Sequence, residues 1–309
     1  MALDTDLALL ADLEPEAERL LERHLSSTKE WHPHTFVPWS RGRDFEPGYE
    51  WDPAESNLPG DVRSALFVNL LTEDNLPYYF RDIERMFGRE GAWGEWVRRW
   101  TAEEARHSTV IREYLTVTRA VDPVELERAR MAQMSGGKVP EPPTAADGLV
   151  YVTLQELATR ISHRNTGLRM EEHDRVGFDI MRRVATDENH HFLFYRDMTS
   201  AVIEADPSRA VEAMERQIIG FTMPGDGIPD FSRHAKAIAA AGIYDLALHY
   251  ELILEPIVLR DWGLEDLTGL SPEAEAARAR TLAHIEKSGR VARRLKERRE
   301  ARKDSLVNA

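Results

Sequence analysis

Apolar residues recur at three- and four-residue intervals through most of this chain, and the strict alternation that marks a half-buried strand is not evident. The period predicts helices over about residues 6–26, 61–88, 92–119, 123–134, 147–170, 173–203, 207–221, 231–259 and 273–303. Two interruptions punctuate them. Residues 31–60 hold five prolines and read as an irregular connection, and residues 134–147 hold Gly136, Gly137, Pro140, Pro142 and Pro143. The second break separates two halves that look like a diverged duplication of a helix pair. Pro77, inside the second predicted helix, has no N–H to bond the carbonyl of Glu73 and predicts a kink there. The expectation is an all-α fold with a bundle core over about residues 61–203 and peripheral helices, in one domain spanning 1–309.

Four of the apolar stripes contain charged residues at mid-stripe. Glu104 and His107 lie among Val97, Trp100, Ile111 and Leu115, and Glu188 and His191 among Ile180, Met181, Val184, Phe194 and Tyr195. Glu73 falls among Leu66, Leu70, Leu76 and Phe80, and Glu156 among Leu149, Val152 and Thr159. Of the eleven histidines, only His107 and His191 have a glutamate three residues before them. Each Glu-x-x-His is preceded by a further glutamate at nearly equal distance, 104 − 73 = 31 and 188 − 156 = 32. Residues three apart on a helix share a face, so one carboxylate and one imidazole project together into a core. A Glu from each of two helices and a Glu-x-x-His from each of two more is the ligand set of a two-metal carboxylate site in a helix bundle. A single such pair is ordinarily a solvated surface feature; four charged positions inside apolar stripes are not explained that way. Asp187-x-x-His190 has similar spacing but is rotated by one residue from the stripe, which predicts His190 at the rim and Asp187 as a partner for a ligand imidazole.

Charge and composition narrow the setting. The net charge of −14 argues against nucleic-acid binding, and the absence of cysteine excludes disulfides and thiolate-held clusters within the chain. No apolar run approaches a membrane span, and the acidic first twenty residues have the wrong charge for a targeting peptide, so a cytoplasmic protein is expected. Positive charge gathers at the end, where residues 286–309 hold nine Lys or Arg against four Asp or Glu, in a basic helix over about 273–303. Such a run is ordinarily a solvated helix face, with a docking patch for an acidic protein as the alternative. No Gly-rich dinucleotide fingerprint is present.

The segments Thr72-Glu-Asp-Asn-Leu-Pro77, Trp100-Thr-Ala-Glu-Glu-Ala-Arg-His107, Gln155-Glu-Leu-Ala-Thr-Arg-Ile-Ser-His-Arg-Asn-Thr166 and Asp187-Glu-Asn-His-His191 resemble the soluble acyl-[acyl carrier protein] desaturases, particularly their actinobacterial branch. The resemblance runs from about Leu10 to Leu270 and fades across the C-terminal tail. It implies a homodimer with a ferritin-like di-iron core that uses O2 and electrons from reduced ferredoxin to place a cis double bond in an acyl chain carried on acyl carrier protein. Carried over by position, Glu73, Glu104 and His107 hold one side of the iron pair and Glu156, Glu188 and His191 the other, with Glu104 and Glu188 bridging. Thr159 matches a threonine beside the dioxygen site, its other role being a hydroxyl bonded to its own helix. Asp187 and Trp31 match residues linking His107 to the surface for electron entry. Phe80, Trp100, Met181 and Phe194 are candidates to line an acyl channel. The residues leave open iron or manganese, a di-iron hydroxylase or desaturase serving a carrier-bound secondary metabolite and, further off, a ribonucleotide reductase radical subunit or an iron-storage protein.

Overall fold

The computed structural model describes the backbone of residues 2–223, 225 and 227–307, and the side chains of this set apart from residues 2–5, 299, 300 and 302–307. In chain order the helices are α1 (Ala2–Ser27), α2 (Pro33–Phe36), α3 (Gly60–Glu73), α4 (Leu76–Phe87), α5 (Gly91–Val117), α6 (Pro123–Gly136), α7 (Ala145–Met170), α8 (Arg175–Ala205), α9 (Pro207–Ile219), α10 (Phe231–Ala240), α11 (Leu246–His249) and α12 (Pro272–Val307). A π-helical stretch, Tyr250–Asp261, continues α11, and no strand occurs among the described residues. None of the described helices is long and apolar enough to cross a membrane.

Local chemistry sets the helix starts. The Asp174 carboxylate accepts from the N–H groups of Val176 and Gly177 at the head of α8, and the Thr144 hydroxyl accepts from Asp147 N–H at the head of α7. Each such cap stabilises its helix by about 1 kcal/mol. The helix expected over 61–88 is two helices, because Pro77 has no N–H for the Glu73 carbonyl and sits instead in the first turn of α4, where none is needed. The expected kink is therefore a full break at Asp74 and Asn75, and Glu73 becomes the last residue of α3. Leu76 and Phe80 belong to α4 and are only partly buried. The helix expected over 231–259 also divides, with Gly242 in the left-handed region (φ 71°) after α10 and the Asp245 side chain capping α11. Pro256 lies inside the π-helical stretch, whose wider register is a common way to absorb a missing amide.

The core of the bundle is α3, α5, α7 and α8, with α1 against α5 and α8, α9 against α7 and α12, and α10 against α3. Their apolar side chains form two clusters. One gathers Val97 and Trp100 of α5, Leu149 to Ile161 of α7 and Phe192 to Val202 of α8; the other gathers α3 with Val110 to Leu115 of α5 and Ile180 to Val184 of α8. The predicted polar pairs of α5 and α8 fall in sequence between these two sets. Burial is complete on both sides of them, so the charged residues stand inside the core rather than on a face of it.

Candidate metal centre

Glu73, Glu104, His107, Glu156, Glu188 and His191 are all buried, and both imidazoles are fully enclosed. They form two overlapping groups, Glu73, Glu104, His107 and Glu188, and Glu104, Glu156, Glu188 and His191, in each of which one ligand atom per residue lies within 4.8 Å of the others. Glu104 and Glu188 are common to both. His107 Nδ1 stands 3.3 Å from Glu104 Oε2 and 3.4 Å from Glu188 Oε1, and His191 Nδ1 stands 2.7 Å from Glu104 Oε1 and 3.7 Å from Glu156 Oε2.

The electrostatics of this cage call for cations. Burial raises Glu156 well above the carboxylate range, reinforced by Glu188 and Glu104, and it raises Glu104 as well, with Glu188 adding to the effect. Burial acts against charge on both imidazoles too, yet the carboxylates around them outweigh it and hold His107 and His191 well above the ordinary histidine value. Glu188 goes the other way, since its contacts with His107 and His163 overcome burial. Nδ1 of both histidines, Glu104 Oε1 and Glu156 Oε2 are buried with no hydrogen bond of good geometry. Oxygen and imidazole nitrogen atoms gathered around a common centre without well-formed hydrogen bonds are a donor set suited to iron or manganese.

Each imidazole has an acid behind it. His107 Nε2 lies 3.5 Å from Asp187 Oδ2 without a well-formed hydrogen bond; that oxygen accepts from Trp31 Nε1 at 2.6 Å, and Arg183 pairs with the same carboxylate. His191 Nε2 lies 3.0 Å from Glu103 Oε2, which His24 Nε2 meets at 2.9 Å, while Arg99 reaches the other oxygen at 2.6 Å. Asp187 thus lies on the far side of His107 from the cage, and His190 is half-buried beside the His24 ring. The Thr159 hydroxyl reaches the carbonyls of Gln155 and Glu156 of its own helix and also Glu188 Oε2, at 2.9 Å.

Three participants escaped the sequence reading. Glu103 precedes Glu104 as Asp187 precedes Glu188, a parallel that was there to be read. His163 follows Glu156 by seven residues, two helical turns on one face, and its Nε2 contacts Glu73 Oε1 at 2.9 Å and Glu188 Oε1 at 3.4 Å. Glu188 and Glu73 offset the burial penalty on His163 and raise it to about 9. His24 gave no signal, because only the packing of α1 brings it in.

A cavity of about 1230 Å³ begins at Glu73, Thr159 and His163 and extends between α9, α10, α11 and α12. A second, narrow space of about 40 Å³ shares Thr72, Glu73 and Thr159 with it and is walled by Met86, Trp100 and Tyr151. At Gly148 a Cβ would collide with Met86 Sδ, so the absence of a side chain there allows α4 to close on α7. Of the four residues considered for an acyl channel, Trp100 alone borders either space, and its indole donates to Glu156 Oε1 at 3.0 Å. Phe194 stacks on Trp96 with centroids 3.6 Å apart, Met181 is enclosed in the second apolar cluster, and Phe80 packs against the first. Helical period identified them as inward-facing but could not tell packing from lining.

The sequence matches the model of the family described as fatty acid desaturase over residues 5–308. It is 44% identical over 278 residues to the Mycobacterium tuberculosis protein named as an acyl-[acyl-carrier-protein] desaturase, DesA1, covering 86% of this chain and 81% of that one. It is 32% identical over 291 residues to the seed-specific chloroplastic stearoyl-[acyl-carrier-protein] 9-desaturase of Brassica napus, covering 88% of this chain and 72% of that one. Among solved structures, the X-ray structure titled as acyl-ACP desaturase DesA2 from Mycobacterium tuberculosis superposes with a TM-score of 0.70 at 28% identity, covering 87% of this chain and 99% of that one.

Proposed function

This chain belongs to the fatty acid desaturase family, and from that premise we propose that it is an O2-dependent di-iron desaturase that places a cis double bond in a saturated acyl chain borne by acyl carrier protein. The observation that carries the reading is the convergence of six buried side chains into two four-residue groups sharing Glu104 and Glu188. Glu73, Glu104, His107 and Glu188 would hold one iron and Glu104, Glu156, Glu188 and His191 the other. Four carboxylates balance the charge of two ferrous ions, which burial alone would leave uncompensated. Bound iron supplies the reduction of dioxygen and the oxidising power to remove two hydrogens from adjacent methylenes.

The chain's own residues provide the setting. Glu103 bonds His191 Nε2 and Asp187 stands behind His107 Nε2, an arrangement that leaves both Nδ1 atoms turned inward. Thr159 places its hydroxyl at the boundary of the cage and both cavities, where it orients Glu188 and meets whatever enters. The mostly apolar walls of the two spaces disfavour water beside the reacting carbons. With no cysteine in the chain, the two electrons come from outside, and a ferredoxin acting on a cytoplasmic homodimer is the arrangement that the family resemblance supports.

The test is mass spectrometry of acyl-carrier products after incubation of iron-loaded protein with O2, reduced ferredoxin and a series of saturated chains. Loss of two mass units, with the double bond located by fragmentation, is expected; gain of sixteen would instead establish hydroxylation. Glu188→Ala and His191→Ala are expected to lose iron and turnover together, and retention of two irons by either would refute the ligand assignment.

A further inference from the structure

The four carboxylates of the cage do not stand on equal backbone. Glu104, Glu156 and Glu188 lie in helix interiors, whereas Glu73 is the last residue of α3. The amide that would bond its carbonyl belongs to residue 77, a proline, so its backbone is the least restrained of the four. The side chain is buried with the others and has its rotamer freedom to lose. What fixes its oxygens must come from outside α3.

Glu73 and Glu156, the carboxylates that belong to one ligand group each, share a device for this. One oxygen of each meets a ring N–H from another helix. Trp100 of α5, one turn before Glu104, donates Nε1 to Glu156 Oε1 at 3.0 Å. His163 of α7, two turns after Glu156, sets its Nε2 2.9 Å from Glu73 Oε1. An ionised carboxylate only accepts, so the imidazole is the donor. The second oxygen of each glutamate is thereby left toward a cage imidazole, Glu73 Oε2 at 3.7 Å from His107 Nδ1 and Glu156 Oε2 at 3.7 Å from His191 Nδ1.

His163 is otherwise unemployed. It belongs to neither ligand group, it is buried, and its Nδ1 has no hydrogen-bond partner. Besides Glu73, its Nε2 approaches Glu188 Oε1, at 3.4 Å, and the other oxygen of Glu188 already meets the Thr159 hydroxyl. Among the described residues its polar contacts are thus with cage carboxylates alone, and the shorter is to the one whose backbone is least restrained.

We propose that His163 is the positioning residue for Glu73: its Nε2–H holds Oε1 and turns Oε2 into the cage. The inference rests on the two-ion reading of the cage and adds a residue outside the ligand groups on which one ion depends more than the other.

Manganese(II) alone, titrated into the full-length protein and followed by the EPR signal of the unbound ion, tests this without acyl chain, carrier or oxygen. Wild type is expected to take up two ions. His163→Phe keeps a ring and removes the donor, and should weaken one ion by roughly tenfold or more while leaving the other in place. His163→Gln, whose amide still donates, should keep most of the affinity. His163→Asn, whose amide falls short of Glu73, should match the phenylalanine variant and replaces it if that protein does not fold. A double-mutant cycle separates positioning from a general loosening of the bundle. With Glu73→Ala already present, His163→Phe should weaken the remaining ion little further, whereas with Glu156→Ala present it should weaken the remaining ion by the full amount. Unchanged manganese affinity in His163→Phe, or an equal loss on the Glu73→Ala background, would overturn the proposal. If both ions respond as expected but no acyl chain gains a double bond, the desaturase reading falls and the role of His163 stands.

Discussion

The two halves of the cage are built alike and finished differently. On each side the histidine of one Glu-x-x-His motif is backed by the acid that immediately precedes the glutamate of the other motif: Asp187 for His107 at 3.5 Å, Glu103 for His191 at 3.0 Å. Beyond those acids the symmetry ends. Asp187 leads to Trp31, an indole over which the Arg106 and Arg183 guanidinium groups lie at 5.0 and 5.7 Å. Glu103 leads to His24, an imidazole set edge-on to Trp96 with centroids 5.0 Å apart. Arg106 touches both acids, at 3.5 and 3.6 Å, and ties the two arms together. The difference teaches that two like-spaced motifs fix the inner contacts, while the segment packed outside decides what stands behind each acid. One ends in an indole beneath two guanidinium groups, the other in an imidazole set against a second indole.

The largest expected effect tests whether the halves share their centre. Glu104→Ala removes a carboxylate common to both groups and is expected to abolish binding of both ions, whereas Glu73→Ala and Glu156→Ala each weaken one. Metal-to-protein ratios by elemental analysis decide it, and equal stoichiometry in all three variants would show that the centre is not shared. Next come the acids behind the rings. Glu103→Gln and Asp187→Asn are each expected to lower metal affinity by roughly 10–100-fold. Glu103→Gln should cost more, because its contact to the ring is the shorter, 3.0 against 3.5 Å. The reverse order in a competition titration would mean that ring contact is not what these acids provide. The smallest structural change falls on the outer groups. Trp31→Phe should slow reduction of the iron-loaded protein by an external one-electron donor, and His24→Phe should leave that rate alone; stopped-flow traces that slow alike in both would erase the functional difference between the arms.

The pattern of polar residues in apolar stripes made the helices and the six cage residues readable, because helical period converts spacing directly into a shared face. The same rule placed Asp187 behind the cage and His190 outside it. It failed where direction alone is insufficient. Met181, Phe194 and Phe80 point inward as expected, but whether an inward side chain packs or lines a space depends on the neighbour opposite. His24 reaches Glu103 across 79 positions of sequence, and nothing local marks that meeting.

What this sequence determined by itself was the set of inward faces and the chemistry they carry, since those follow from backbone geometry repeated along each helix. What the tertiary structure decided was which faces meet: the break at Pro77 that presents Glu73 from a helix end, the docking of α1 and Trp31 behind the two histidines, and the placement of one face of α12 along the cavity. Those outcomes depend on contacts between residues far apart in the chain, whose energies exist only once the helices have packed.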